Sequence, residues 1–157
     1  MPTVLVDTNI WLHGLTRPRD PAYTDLHRAA EAFLDAVLRD PATRVAVSAY
    51  HIAEILEILR KSGLAEAERA KLAVKFKTGK FLIREITSDI VFECLDRSSR
   101  SGIHVYDYLV ALPLRGQIDR IFSGDDHFLH PDFTSIAPVE NPVAPWRLRE
   151  GQKPARN

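Results

Sequence analysis

The chain has 157 residues, and 21 Lys+Arg are balanced by 21 Asp+Glu. That length favours one domain around one hydrophobic core. An apolar fraction of 45% and a charged fraction of 27% exclude a mainly disordered chain, a collagen-like repeat and a disulfide-rich mini-domain. Zero net charge excludes a uniformly basic nucleic-acid binder, though it leaves room for a local basic patch.

The single cysteine, Cys94, can form no intrachain disulfide, which fits a reducing compartment. Met1-Pro2-Thr3-Val4-Leu5-Val6 has no basic stretch and too few apolar residues for a signal peptide. No uncharged stretch approaches the ~20 residues of a membrane span. A soluble cytoplasmic protein is the expectation.

In chain order, Val4-Leu5-Val6 is a short apolar run that suits a buried strand. Asp7-Thr8-Asn9 follows as a helix start, and Ile10-Trp11-Leu12 begins a short helix. Two prolines between Thr16 and Pro21 mark a loop. Tyr23 to Arg39 carries Leu26, Ala30, Phe33 and Val37 at helical spacing and stops at Asp40-Pro41. Val45-Ala46-Val47 is a second strand, and Ser48 is an N-cap for the helix bearing Ile52, Ile55, Leu56 and Leu59. Gly63 stops that helix, and an alanine-rich helix runs from Leu64 to Lys77. Phe81 to Ile83 is a third strand. Helices are expected over Ser88 to Arg97 and Tyr106 to Leu114. Ile118 to Phe122 is a fourth strand, and Ile136-Ala137 a short last one.

Short apolar strands separated by helices define an α/β domain with a mainly parallel sheet. Composition changes near Pro138. The last stretch has four prolines, and from Asn141 onward it carries a net charge of +3, from four basic residues and one acid. Residues 138–157 are read as a proline-rich C-terminal tail, either packed through Trp146 or disordered.

Ligands of open parallel sheets bind outside the carboxyl ends of the strands. Asp7 follows the first strand directly, and Asp125 and Asp126 follow the fourth. Glu54 lies on the helix after the second strand, away from its apolar stripe. Asp107 sits among Val105, Tyr106, Tyr108, Leu109 and Val110, where a carboxylate is costly unless compensated. Carboxylates that converge repel one another, and a hard divalent cation such as Mg²⁺ removes that cost. It also activates water and neutralises charge on a phosphoryl group. The residues therefore read as a metal-dependent phosphodiester hydrolase.

Val-Leu-Val-Asp7-Thr8-Asn9 resembles the opening of PIN domains. Val47-Ser48 followed by Ala53-Glu54-Ile55-Leu56 resembles their second motif, and Tyr106-Asp107-Tyr108-Leu109-Val110-Ala111 their third. Ser123-Gly124-Asp125-Asp126-His127-Phe128 resembles the fourth, and the four occur in family order. The resemblance implies a three-layer α/β/α domain over residues 1–137 with a short, mainly parallel central sheet. It implies an endoribonuclease dependent on Mg²⁺, with Mn²⁺ as a substitute, that leaves 5′-phosphate and 3′-hydroxyl ends. Asp7, Glu54, Asp107 and Asp125 would be the catalytic acids. Asp7, Asp107 and Asp125 would hold the metal, and Glu54 would orient water. Thr8, Asn9, Ser123 and Asp126 would be accessory. Many compact members are VapC-type toxins, often homodimeric, neutralised by a small VapB-type antitoxin. His127 stands where many members carry an acid, and the segment after residue 137 exceeds what a minimal toxin needs.

Taken singly, these residues have ordinary readings: Asp7 as a helix cap, Glu54 as a surface acid, Asp125-Asp126 as a turn. The alternative at the level of function is an inactive PIN-like RNA-binding or assembly module, or an RNA-maturation nuclease without an antitoxin. His127 and His130 form an H-x-x-H pair with no further zinc ligands. His13, His27, His51 and His104 read as surface or packing residues. Arg69 to Arg84 holds six basic residues and no acid. Lys71, Lys75, Lys77 and Lys80 of that run are the candidate substrate contacts, to the RNA backbone or to an acidic antitoxin. Leu64, Ala67, Leu72 and Phe76, with Ile55 and Ile58, suggest a homodimer through that helix pair.

Overall fold

The structure is a computed structural model and describes residues 1–149 and 152–157. Five strands, β1 (Thr3–Val6), β2 (Arg44–Ser48), β3 (Leu82–Arg84), β4 (Arg120–Phe122) and β5 (Val139–Glu140), form one sheet in the order β3-β2-β1-β4-β5. All four pairings are parallel, and the register sets Val4 beside Val45 and Leu5 beside Ile121. The connections are the helices α1 (Thr8–Leu15), α2 (Thr24–Arg39), α3 (Ala49–Lys61), α4 (Glu66–Thr78), α5 (Ser88–Ser101), α6 (Val105–Ala111) and α7 (Pro131–Thr134).

Side chains alternate across a strand. Val4, Val6, Val45 and Val47 therefore face one core, shared with Trp11, Leu34, Ile55 and Phe76 of α1 to α4. Leu5, Ala46 and Ile121 face the other, with Cys94, Tyr108, Leu114 and Phe133. Helices thus cover both faces of the sheet, which gives three layers. Both faces being apolar explains why β1 reads as an unbroken apolar run.

Three expected boundaries are corrected. The last strand is not Ile136-Ala137. The N–H groups of Ile136 and Ala137 donate to the carbonyl of Phe133 at 2.9 and 3.3 Å, so they close the turn after α7, and the strand begins beyond Pro138. Helix α5 runs four residues past Arg97, to Ser101, and ends at Gly102 with φ +77°. Such a left-handed φ suits glycine. Beyond Ala111 the expected helix tightens into a 3-10 turn over Leu112–Leu114.

The segment after Pro138 carries β5 and a small antiparallel pair, β6 (Trp146–Arg147) with β7 (Ala155–Arg156). Val143, Trp146 and Leu148 are buried in the same core as α1 to α4. The segment up to Leu148 is thus packed rather than disordered, and its anchors are three, not Trp146 alone. Glu150 and Gly151, also in that segment, lie outside the described residues. Among the described residues no helix is long and apolar enough to cross a membrane.

Candidate active site

The sheet order reverses between β1 and β4, and ligands of such sheets bind at that switch point, beyond the strand carboxyl ends. Asp7 leaves β1 there, held in place by its N–H donating to the carbonyl of Phe122 at 2.9 Å. Its carboxylate caps α1, accepting from the N–H of Thr8 at 2.8 Å. Ser123, just past β4, donates its hydroxyl to the other oxygen of Asp7 at 2.8 Å and accepts from the N–H of Asp125 at 3.0 Å. One buried hydroxyl therefore sets the spacing between the acids of two neighbouring strands.

Ser48 caps α3 by accepting from the N–H of His51 at 3.1 Å, and it donates to the carbonyl of Leu109 at 2.8 Å. That pair of bonds fixes α3 against α6 and so fixes Glu54 relative to Asp107. Asp107 sits in the first turn of α6, where the helix dipole favours negative charge. Asp7, Glu54, Asp107 and Asp125 all line one cleft of about 440 Å³, together with Thr8, Asn9, Tyr50 and Lys61. The four acids expected to act together are brought together.

Both oxygens of Glu54 are tethered. Thr8 donates its hydroxyl to one, and Tyr50 donates to the other at 2.7 Å. Tyr50 in turn stacks on Tyr106, with ring centroids 5.5 Å apart. His51, read from sequence as surface or packing, is fully buried, and its Nε2 lies 3.1 Å from the Thr8 hydroxyl. Thr8 spends its one proton on Glu54, so Nε2 must be the donor, and Nδ1 is left without a hydrogen-bond partner. Burial pushes the His51 ring down to about 3, so it is neutral. The sequence signal for His51 was its position one turn before Ile55 and two before Leu59, the residues on which the buried face of α3 is centred.

Burial raises the Asp7 carboxyl well above the usual carboxylate range. The charge of Asp107 adds to this, the Ser123 hydrogen bond opposes it, and Asp125 and Glu54 push the same way. The cleft thus holds more negative charge than its own donors compensate. Asp107, Asp125 and His127 each offer a ligand atom within 4.8 Å of the others'. This donor set, mostly carboxylate oxygens with one imidazole, fits a hard divalent cation. His127 Nδ1 lies 3.2 Å from Asp107, so the imidazole occupies the rim where the sequence reading found only a missing carboxylate. His130 turns away and accepts from the N–H of Asp132 at 3.1 Å, so the H-x-x-H pair does not converge.

Two groups of expected contacts are placed elsewhere. Asp126 points to the C-terminal segment, where Arg147 donates to it at 2.8 Å. Lys75 and Lys80 line a separate groove with Thr43, Val45 and Phe81, at the amino ends of the strands and across the sheet from Asp7. Lys71 pairs with Glu68 at 3.0 Å, Lys77 is exposed on α4, and none of the four lysines lines the acidic cleft. The basic run was read by charge density, whereas chain direction decides which end of a parallel sheet a residue reaches. On the α3–α4 pair, Ile55, Leu72 and Phe76 are spent on the core. The exposed apolar side chains include Phe92 and Leu95 on α5, Val74 on α4, Tyr106 on α6 and Leu129.

The PIN domain family model matches residues 4–133. The chain belongs to the PIN-domain family. Among solved structures it is similar to VapBC2 of Rickettsia felis, bound to a DNA fragment from their promoter, at 18% identity and a TM-score of 0.55, over 88% of this chain and 98% of that one. It is also similar to VapC20 of Mycobacterium tuberculosis, a Sarcin-Ricin loop cleaving toxin, at 17% identity and a TM-score of 0.54, over 84% and 93% of the two chains. A toxin–antitoxin complex from Klebsiella pneumoniae matches at 19% identity and a TM-score of 0.54, over 88% and 97%. No curated protein sequence matches.

Proposed function

We propose that the chain is a metal-dependent endoribonuclease, the toxin of a VapBC-type pair. The observation that carries this reading is the convergence of Asp7, Glu54, Asp107 and Asp125 in one cleft, with Asp7 buried among like charges. Membership of the PIN family and the fold shared with VapC toxins support it. Asp7, Asp107 and Asp125 would hold Mg²⁺, or Mn²⁺ in its place. A divalent cation there would lower the pKa of water and neutralise charge on a phosphoryl group.

The remaining chemistry belongs to the chain's own groups. Glu54, immobilised by the Thr8 and Tyr50 hydroxyls, orients the attacking water and accepts its proton. Positioning of this kind lowers the entropy cost of in-line attack. Asn9 and Lys61, on the cleft wall, face the substrate phosphate as amide and cation. Ser123 holds Asp7 and Asp125 at fixed separation. The toxin reading adds an antitoxin partner, a cytoplasmic setting and a homodimer, for which the exposed Phe92 and Leu95, neighbours on α5, offer one apolar patch. Sedimentation of the purified chain reads the last.

The test is calorimetric titration of Mn²⁺ into wild type and Asp7→Asn/Asp107→Asn, followed by RNA cleavage on the same samples. Binding and cleavage in wild type, both lost in the variant, are expected. Wild-type cleavage that survives in the variant would overturn the assignment.

A further inference from the structure

An anionic polymer approaching four carboxylates needs cations beside them, yet the acidic cleft itself contributes only Lys61 among its lining residues. A second groove of about 420 Å³ adjoins it between α1 and the C-terminal segment, sharing Asn9 and Ile58 with the cleft. Arg149, Gln152 and Lys153 form its outer wall, and none of the described residues that line it is acidic. His13, on its inner wall, is held neutral because burial and the neighbouring His27 push its pKa down. Among the described residues, the charge in the groove is therefore that of Arg149 and Lys153, both exposed.

The segment that leads into Arg149 is tied to the active-site loop. The N–H of Leu148 donates to the carbonyl of Gly124 at 3.0 Å, and the buried Leu148 side chain packs over that glycine. Arg147 is committed to Asp126 at 2.8 Å, whereas Arg149 reaches the same oxygen only at 3.9 Å. Trp146 anchors the segment between Tyr23 and Arg156. A solvated surface charge needs no such anchoring.

Resting on the ribonuclease reading, we propose that this groove binds the RNA backbone phosphates flanking the scissile bond, with Arg149 and Lys153 as charge partners and Asn9 and Gln152 as amide donors. The C-terminal segment is then part of the substrate site. Two phosphate contacts on a single strand account for about 1.4 of the slope of log affinity against log salt, and for roughly a tenfold gain in affinity near 0.15 M salt.

The test is fluorescence anisotropy of a labelled single-stranded RNA of mixed sequence on the full chain in chelator, with cleavage in Mn²⁺ followed separately. Arg149→Gln/Lys153→Gln should weaken binding about tenfold and flatten the salt slope by about 1.4. Arg149→Lys/Lys153→Arg should keep the slope, and Mn²⁺ affinity by calorimetry should be unchanged. An unaltered slope in the Gln variant overturns the proposal, as does a wild type that binds no RNA. So does a Gln variant that binds RNA normally but loses an acidic peptide, which would make the groove a protein-docking site. A wild type that binds RNA through these cations yet never cleaves it would sink the nuclease reading and leave the groove assignment standing.

Discussion

Replacing Gly124 by alanine tests how the C-terminal segment meets the active-site loop. A Cβ at Gly124 would lie 2.9 Å from Cγ of Leu148 and 3.3 Å from its Cβ, with no left-handed backbone to complicate the reading. Leu148 is 1% exposed and packs in the larger core, so it has little room to retreat. Overpacking of this kind costs about 1–3 kcal/mol. Leu148→Ala alone removes a buried side chain and costs about 2–5 kcal/mol. In the double variant the new methyl enters space that Leu148 has vacated. The combined loss should therefore fall short of the sum by about 1–3 kcal/mol, close to the cost of Leu148→Ala by itself. Urea denaturation of the four proteins, with m-values compared to confirm equal unfolding, supplies the cycle. Additivity within about 0.5 kcal/mol would refute the contact and with it the idea that this segment braces Asp125.

Asp7→Asn should abolish cleavage yet stabilise the metal-free protein at neutral pH. Because the folded pKa of Asp7 is raised, its ionisation opposes folding above the unfolded value of about 3.9, and the variant's advantage should close as pH falls toward that value. Urea curves in chelator from pH 7 to 4 check it, and a gap that widens on acidification would contradict the sign. Mn²⁺ at a hundred times its dissociation constant should stabilise wild type by about 2.7 kcal/mol, a rise of about 5–10 °C in Tm, and Asp7→Asn/Asp107→Asn not at all, by scanning fluorimetry. Thr8→Val should cost about 1–3 kcal/mol by stranding the buried Nε2–H of His51, and adding His51→Leu should recover much of that stability without recovering cleavage. Lys75→Gln/Lys80→Gln should leave RNA KM unchanged in steady-state cleavage, since both face the amino end of the sheet.

Much of this arrangement is legible in the sequence because it rests on local signals. Asp7 and Ser48 announce themselves as caps between an apolar run and a helix, and both caps are made. Parallel topology then sends every strand-end acid to one edge, so Asp7 and Asp125 could be paired without coordinates. What escaped depends on longer range. Trp146 stood out as an anchor by its size, but Trp146 and Leu148 together give only two positions of a strand's two-residue period, too few to notice in a proline-rich stretch, so the burial of Val143 and Leu148 went unread. His51 looked ordinary because its partner, Thr8, is 43 residues away. The lysine run was legible as charge but not as position, because a helix's charge says nothing about which end of the sheet it faces. Helix α5 was cut short because Ser98, Ser99 and Ser101 are weak helix formers, and Gly102 was the signal that marked its end.

The bond from Ser123 to Asp7 spans 116 residues of chain. Synthesis delivers Asp7 just after the first strand, Glu54 and Asp107 later, and Asp125 last of the four. The brace at Leu148 comes later still, nine residues before Asn157. A fragment that stops short of Ser123 therefore carries the earlier acids without the assembled cleft. Chain order makes this centre a late feature: the four acids cannot share one cleft until Ser123 and Asp125 have joined Asp7.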